Sequence, residues 1–303
     1  MHTAVAPLDC APALTDRVTD PPAVPSRRAN LRRLSSVSYV HAAGHRLEYK
    51  LLGTGARARR APSGDPVLVF LHEGLGSVAL WKSFPDRVVE ASGCAALLYS
   101  RYGYGRSDRL TEPRAVDYMH REALETLPQV LEALAIERPV LIGHSDGASI
   151  AFMHAAAHPV RAVVAMAPHV FVEDITVESI AQAKVAFETT DLAARLRRYH
   201  DDPVSTFRGW NDVWLSPEFR AWNIEAYLPR VAVPVLLIQG EDDQYGSIAQ
   251  LEAIARQVAG PVQKLILPGC GHSPHVDRPE ETVRAVANFV REVREGGKEG
   301  MSE

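Results

Sequence analysis

The chain has 303 residues, 46% of them hydrophobic and 23% charged, which is typical of a globular protein with one large domain or two small ones and excludes disorder throughout. Its formal net charge is −4, with 33 basic against 37 acidic residues and no block dense in lysine or arginine. Nucleic acid is therefore not expected as a partner.

Residues 1–36 contain five prolines and few aromatic residues, and this composition predicts a disordered N-terminal arm. The first twenty residues contain three aspartates and no run of seven apolar residues, so neither a signal peptide nor a lipid anchor is expected. No stretch approaches the roughly 20 apolar residues that span a bilayer, so a membrane is not expected as a partner either. The cysteines Cys10, Cys94 and Cys270 are too few for a disulfide framework, which favours a cytoplasmic location.

From residue 37 onward, short apolar runs alternate with helical patterns. Residues 67–71 form a continuous apolar run, which predicts a strand covered on both faces. Further strands are predicted from similar runs at residues 95–99, 140–142, 162–166, 235–238 and 265–267. Helical spacing relates Leu124, Leu127, Leu131 and Leu134, and also Val283, Val286, Ala287, Val290 and Val293. Pro128 is expected to kink the first of these helices. The alternation predicts a mainly parallel sheet covered by helices.

Residues 169–230 break this alternation. They contain no buried-strand pattern, but they hold Trp210, Trp214 and Trp222, three of the four tryptophans of the chain. Scattered prolines divide the segment into short helices, which predicts a helical cap inserted into a core of residues 37–168 and 231–295. The cap tryptophans, with Phe207 and Phe219, are expected either to line an apolar pocket or to pack the cap onto the core. Residues 296–303 are predicted to be a flexible tail.

A serine flanked by glycines stands where a predicted strand meets a predicted helix, in the sequence Gly143-His144-Ser145-Asp146-Gly147. A sharp strand-to-helix turn exposes the serine hydroxyl, and side chains in place of the two glycines would collide with neighbouring elements. The turn also puts Ser145 at a helix N-terminus, where free N–H groups favour negative charge. The motif therefore predicts that Ser145 is a nucleophile, and the flanking elements argue against a chance match.

A serine hydroxyl is a weak nucleophile, and it needs a base within hydrogen-bond reach that is itself oriented by a carboxylate. Two later turns follow predicted strands and offer both groups: Glu241-Asp242-Asp243 in one turn and His272 in the other. The carboxyl ends of parallel strands meet at one edge of a sheet, so these groups are expected to lie near Ser145. Taken alone, each turn is also compatible with a solvent-exposed loop.

Residues 37–294 resemble an α/β-hydrolase with a helical cap. The resemblance rests on the turns that contain Ser145, Asp243 and His272, together with the sequences HEGLG at residues 72–76 and GYGRS at residues 103–107. The resemblance implies a twisted, mainly parallel sheet of eight strands. It also implies that the acid lies three residues after the glycine of its turn, which selects Asp243 over Asp242.

The resemblance further implies an oxyanion hole made by two backbone N–H groups. One follows the nucleophile and belongs here to Asp146. The other comes from the loop at residues 72–76, where Glu73, Gly74 and Leu75 are candidates and Gly74 is the expected donor. Family members commonly have glycine where this chain has Glu73. A carboxylate beside an oxyanion site is unfavourable if it points inward, so Glu73 is expected either to turn away, onto an arginine, or to take part in selecting substrate.

The resemblance implies a cofactor-free serine hydrolase that cleaves a small carboxylic ester, lactone or thioester through an acyl-enzyme, with a small-molecule substrate as its partner. One alternative keeps the triad of Ser145, His272 and Asp243 but hydrolyses a carbon–carbon bond in ring-cleavage products or eliminates pyruvate. Another is a non-catalytic ligand-binding receptor or scaffold. Neither glycine cluster is a phosphate cradle, so no nucleotide cofactor is expected. The histidines form no His-Glu-x-x-His pair, and His272 with His275 lacks a convincing third ligand, so no metal is expected. The sequence does not indicate an oligomeric state.

Overall fold

A computed structural model describes residues 37–53 and 65–299 of the protein. The predicted N-terminal arm, residues 1–36, and the last four residues of the predicted tail, residues 300–303, lie outside the described residues.

The core of the molecule is one eight-stranded sheet with the strand order β1-β2-β4-β3-β5-β6-β7-β8. The strands are β1 Ser38–Ala42, β2 His45–Leu52, β3 Leu68–Leu71, β4 Ala96–Tyr99, β5 Val140–His144, β6 Ala162–Met166, β7 Val235–Gly240 and β8 Val262–Leu267. The β1–β2 and β2–β4 pairs are antiparallel. The five other pairs are parallel, which confirms the mainly parallel eight-stranded sheet.

Every one of the six predicted strand runs lies in a strand of the sheet. Those that form β3 to β7 are buried at every residue, because helices cover both faces of a parallel sheet. The last strand, β8, lies at the edge and is more exposed, with Ile266 at 44%. An edge strand has one unpaired side, and charged residues such as Lys264 there discourage pairing with another chain.

The helices are α1 Phe84–Ser92, α2 Tyr118–Arg121, α3 Leu127–Ala133, α4 Asp146–Ala155, α5 Asp174–Thr189, α6 Leu192–Leu196, α7 Pro203–Trp214, α8 Ile248–Gln257, α9 Pro274–Asp277 and α10 Pro279–Glu299. They enclose two apolar layers, because successive side chains of a strand point to opposite faces of the sheet. Val69 and Leu71 of β3 pack in the layer that contains residues of α3, α4 and α8. Leu68 and Phe70 pack in the other layer, with residues of α1 and α10.

The helix around Pro128 is interrupted as its sequence predicts. A π-helical turn, Glu122–Thr126, joins α2 to α3, and the Leu127 N–H reaches five residues back to the Glu122 carbonyl. Proline has no N–H to donate, and its ring crowds the carbonyl four residues earlier, so a wider turn just before Pro128 removes that conflict.

Residues 169–230 contain α5, α6 and α7, followed by two 3₁₀ helices, Pro217–Ala221 and Glu225–Arg230. A single antiparallel bridge between Phe171 and Asn223 joins the start of this segment to its end. We call the segment the cap, because side chains of α5, α6 and α7 lie over the carboxyl ends of the strands, across a cavity from Ser145.

The C-terminal helix extends further than expected. Residues 296–299, assigned to a flexible tail from the sequence, form the last turn of α10. Glycine in a helix costs about 1 kcal/mol relative to alanine but still makes the backbone hydrogen bond, so two glycines near the end do not stop the helix. In the described residues, none of the helices combines the length and the apolar character needed to cross a membrane.

Candidate active site

Ser145 lies in a strained turn between β5 and α4. Its backbone has φ 52° and ψ −119°, a conformation that non-glycine residues rarely adopt. The turn is closed by the two glycines of the motif. A Cβ atom on Gly147 would lie 2.0 Å from the Leu71 carbonyl oxygen, and one on Gly143 would lie 2.4 Å from the Gly147 carbonyl oxygen. Only glycine fits at either position, so the spacing of the motif reflects close backbone contact.

Asp243 and His272 are in direct contact. The Nδ1 atom of His272 lies 2.9 Å from both carboxylate oxygens of Asp243. The carboxylate also accepts hydrogen bonds from the Tyr245 N–H at 2.8 Å, the Gly246 N–H at 3.2 Å and the Gln239 side-chain amide at 2.7 Å. Burial alone would raise the pKa of Asp243, but the charge of His272 and the hydrogen bonds from His272 and the Tyr245 N–H lower it.

The neighbouring Asp242, which the sequence left as a competitor, is exposed, whereas Asp243 is buried. The turn after β7 thus directs one acid into the protein and the other to solvent.

The imidazole of His272 is oriented as a general base requires. Because an ionised Asp243 only accepts, Nδ1 carries the proton and Nε2 keeps its lone pair. Desolvation lowers the pKa of His272, but Asp243, and to a smaller degree Glu73 and Asp146, raise it above its ordinary value. The His272 backbone carbonyl accepts a hydrogen bond from His144 Nε2 at 2.7 Å, which ties the loop to the residue before Ser145.

Ser145 and His272 line the same cavity. Their side chains form no hydrogen bond with each other in the described part of the chain. Such catalytic hydrogen bonds are often long or poorly aligned until substrate binds, so the shared cavity wall is the relevant observation.

The two predicted oxyanion donors also line this cavity. Asp146 is the first residue of α4, where the backbone N–H has no partner within the helix. Gly74 faces the cap so closely that a Cβ atom there would lie 2.1 Å from Trp210 Nε1. The Leu75 N–H donates to the Glu73 side chain, so of the three candidates in this loop the Leu75 amide is already occupied.

Glu73 does not turn onto an arginine. Its carboxyl accepts from the Leu75 N–H and is part of the cavity wall. Arg101 donates instead to the Glu73 backbone carbonyl, at 3.1 Å. Burial raises the pKa of Glu73 to about 7, although the Leu75 amide and Arg101 act against this rise.

Arg101 is a site residue that the sequence analysis missed. Its side chain is 2% exposed, and it donates to the His72 carbonyl oxygen at 2.5 Å and lies 3.7 Å from the Asp146 carboxylate. The Tyr118 hydroxyl donates to the same carboxylate at 2.5 Å. Arg101 thereby connects the loop with Gly74 to the start of α4. Its position just after a predicted strand run was the available signal, since such ends form the site edge.

The cavity is closed on one side by the cap. Its apolar wall is formed largely by Ile180, Leu192, Leu196, Trp210 and Trp214. All five cap aromatic residues named from the sequence pack in one core cluster, and two of them, Trp210 and Trp214, also line the cavity. Both expected roles therefore occur. Within the described ranges, no group of three His, Cys, Asp or Glu side chains is arranged to hold a metal ion.

Comparisons with known proteins show the family of this chain. A model of the alpha/beta hydrolase family matches residues 68–285. The chain is 24% identical over 287 residues to epoxide hydrolase 3 of Xenopus tropicalis, covering 80% of this chain and 77% of that protein. It is 26% identical over 258 residues to the putative carbamate hydrolase RutD of Caulobacter sp. (strain K31), covering 76% and 92%.

Among solved structures, a carboxylesterase structure from the thaumarchaeon Nitrososphaera gargenis matches with a TM-score of 0.69 and 18% identity. The match covers 86% of this chain and 100% of that chain, and at this identity it shows the fold alone. The family model spans most of the chain and includes the turns that carry Ser145, Asp243 and His272. The chain therefore belongs to the alpha/beta hydrolase family and is a hydrolase.

Proposed function

We propose that the protein is a serine hydrolase that cleaves a small carboxylic ester, lactone or thioester through a covalent acyl-enzyme. The observation that carries this proposal is the contact of Asp243 with His272 on the wall of the cavity that also holds the strained Ser145 turn. A nucleophile, a base and an orienting acid in this relation are the requirements of acyl transfer by a serine.

In the first half of the reaction, the Ser145 hydroxyl attacks the substrate carbonyl while His272 Nε2 takes its proton. Asp243 stabilises the resulting imidazolium, because its buried carboxylate faces Nδ1. The backbone N–H groups of Asp146 and Gly74 stabilise the negative charge on the carbonyl oxygen. In related sites each such donor lowers the activation free energy by roughly 3 kcal/mol. His272 then gives the proton to the leaving group, which departs as an alcohol or thiol.

In the second half, water replaces the leaving group. His272 removes a proton from the water, which attacks the acyl carbon, and the proton passes to Ser145 as the carboxylic acid product leaves. The surrounding histidines support this role, since burial lowers the pKa of His169 to about 4 and that of His275 to about 3. These rings stay neutral at pH 7, which leaves His272 as the histidine of this cluster that changes charge.

The preference for small, partly apolar acyl groups follows from the cavity. The cap contributes an apolar, aromatic wall opposite Ser145, the kind of lining that small-molecule sites have. The proposal includes a cytoplasmic location, in keeping with free, buried Cys94 and Cys270.

The test combines active-site labelling with a substrate panel. A fluorophosphonate probe, followed by peptide mapping, is expected to label Ser145 in the wild type and to leave Ser145→Ala unlabelled. The panel contains esters, lactones and thioesters, with ring-cleavage products for the carbon–carbon alternative. Labelling with turnover of esters supports the proposal. Labelling with turnover of only the ring-cleavage products would replace it, and no labelling at Ser145 would favour a non-catalytic binding protein.

A further inference from the structure

Glu73 is an acid in the catalytic cavity that the proposed reaction does not use. It directly precedes Gly74, the expected oxyanion donor, and its side chain lines the same cavity as Ser145 and His272. The Leu75 N–H holds one carboxyl oxygen, Oε2, so the group has a fixed position in the wall and is not a mobile surface side chain.

No cationic side chain forms an ion pair with the Glu73 carboxyl in the part of the chain that the structure describes, and its second oxygen, Oε1, has no hydrogen-bond partner there. The nearest guanidinium, that of Arg101, is occupied by the backbone carbonyls of His72 and Glu73 and by the Asp146 carboxylate. The charged or titratable groups that act on Glu73 are therefore Arg101, Asp146 and His272. None of them bonds to its carboxyl.

When Glu73 is ionised, this arrangement costs free energy unless a group in the cavity compensates for the charge. A carboxylate removed from water is destabilised when it lacks a cation or a full set of donors. It also opposes the negative charge that develops on the substrate carbonyl beside Gly74. A positively charged group on the substrate would relieve both effects.

The other residues of the cavity wall also favour Glu73 as the place where a positively charged substrate group binds. Arg195, an arginine of the cap that lines the wall, is paired with Asp191 at 3.2 Å, and most other cap side chains of the wall are apolar. Within the cavity, Glu73 is thus the acceptor that is both close to the reacting carbonyl and lacking a cation.

We propose that Glu73 is a specificity-determining residue that binds a protonated amino group next to the scissile carbonyl, so that the preferred substrates are amino-substituted acyl esters. This inference rests on the proposed function, because it assigns the acyl group of the same reaction.

The test uses three methyl esters that differ at one substituent: alanine methyl ester, methyl lactate and methyl isobutyrate carry an ammonium, a hydroxyl and a methyl group on the same carbon. At pH 7 the amino group is largely protonated. We expect kcat/KM of the wild type for the alanine ester to exceed that for the isobutyrate by about tenfold or more, the worth of one charge-assisted hydrogen bond.

In Glu73→Gln the shape and the hydrogen bond from Leu75 are kept while the charge is lost. The ratio of the alanine ester to the isobutyrate is expected to fall about tenfold, with a raised KM for the alanine ester and a faster reaction of the isobutyrate. Asp242→Asn removes an exposed acid and serves as the matched control, with the wild-type ratio. A ratio in Glu73→Gln within twofold of the wild type would overturn the inference, as would a wild-type preference for methyl lactate.

A second measurement needs no variant. Isopropylammonium is expected to protect wild-type Ser145 from the fluorophosphonate probe at lower concentration than isopropanol, and equal protection would contradict the inference. Failure of the proposed function is distinguishable, because in that case the probe does not label Ser145 at all. Labelling with a preference for methyl isobutyrate rejects only the role of Glu73.

Discussion

Two acidic side chains of the candidate site, Glu73 in the cavity wall and Asp243 in contact with His272, have opposite surroundings. Asp243 receives hydrogen bonds from two backbone N–H groups, the Gln239 amide and His272, and its pKa is lowered despite burial. Glu73 receives one hydrogen bond, and burial raises its pKa to about 7. The two pKa values move in opposite directions because Asp243 has the charge of His272 and several donors beside it, whereas Glu73 has one donor and no paired cation.

The largest expected effect tests the Asp243 side of this comparison. Asp243→Asn leaves the shape of the turn but gives His272 Nδ1 a partner that no longer stabilises the imidazolium. We expect kcat to fall by about 10⁴-fold, as removal of the orienting charge does in such triads. Steady-state kinetics of an ester substrate will measure it. Asp242→Asn is the control, and equal losses in the two variants would mean that the acid has been assigned to the wrong neighbour.

The next largest effect concerns Gly74, which follows Glu73 in the chain and is the proposed second oxyanion donor. Gly74→Ala adds a Cβ atom that would lie 2.1 Å from Trp210 Nε1. This distance is too short for a contact, so the loop or the cap must shift. We expect kcat to fall by about 10² to 10³-fold, the usual cost of a displaced oxyanion donor.

Gly269→Ala is a matched control for Gly74→Ala, because a Cβ atom there meets nothing within 4 Å. Its cost is the backbone strain of a positive φ, 58°, and so falls on stability. If Gly74→Ala keeps wild-type kcat while remaining folded, the second donor lies elsewhere in the loop.

The pH dependence links the two acids through His272. The base must be neutral to accept the Ser145 proton, so kcat/KM is expected to fall as the pH drops through the raised pKa of His272. Burial opposes this rise in pKa, while Asp243 and, to a smaller degree, Glu73 produce it. In Glu73→Gln the acid limb of the pH profile should therefore move to lower pH. A limb that stays in place would show that the Glu73 charge does not reach the imidazole.

The smallest effect is on stability and involves histidines outside the triad. Burial lowers the pKa of His154 and of His200 to about 4. Below pH 6.5 these histidines are protonated in the unfolded chain but remain neutral in the folded protein. Each of them therefore lowers the free energy of unfolding by about 1.4 kcal/mol per pH unit until the pH reaches its pKa in the folded state. Thermal melts should show a falling midpoint from pH 6.5 to pH 4.5, with a shallower slope in His154→Gln. An unchanged slope would mean that His154 does not titrate on unfolding.

The sequence predicted the strands, and the strand-end turns that carry Ser145, Asp243 and His272, because both depend on local pattern. The apolar run at residues 67–71 has to be a strand covered on both faces, and Gly143 and Gly147 are required by backbone contacts that any such turn makes. The order of the three turns along the chain then brings Ser145, Asp243 and His272 to one edge of the sheet.

The environment of the oxyanion loop could not be predicted in the same way. The Glu73 carboxyl faces the cavity and does not pair with Arg101, because Arg101 contacts two backbone carbonyls and the Asp146 carboxylate. These contacts depend on tertiary packing and cannot be read from local sequence. Likewise, the approach of Trp210 to Gly74 joins residues far apart in the chain. Local sequence determines which residues are present there, and packing determines which of them meet.

The most direct test of the central claim is to trap the covalent intermediate on Ser145. Wild-type protein mixed with excess p-nitrophenyl acetate and quenched in acid within milliseconds is predicted to carry one acetyl group, mapped to the peptide that contains Ser145. A burst of one equivalent of nitrophenol should accompany it, and Ser145→Ala should show neither. Turnover of the ester with no adduct on Ser145, or with the adduct on another residue, would contradict the account.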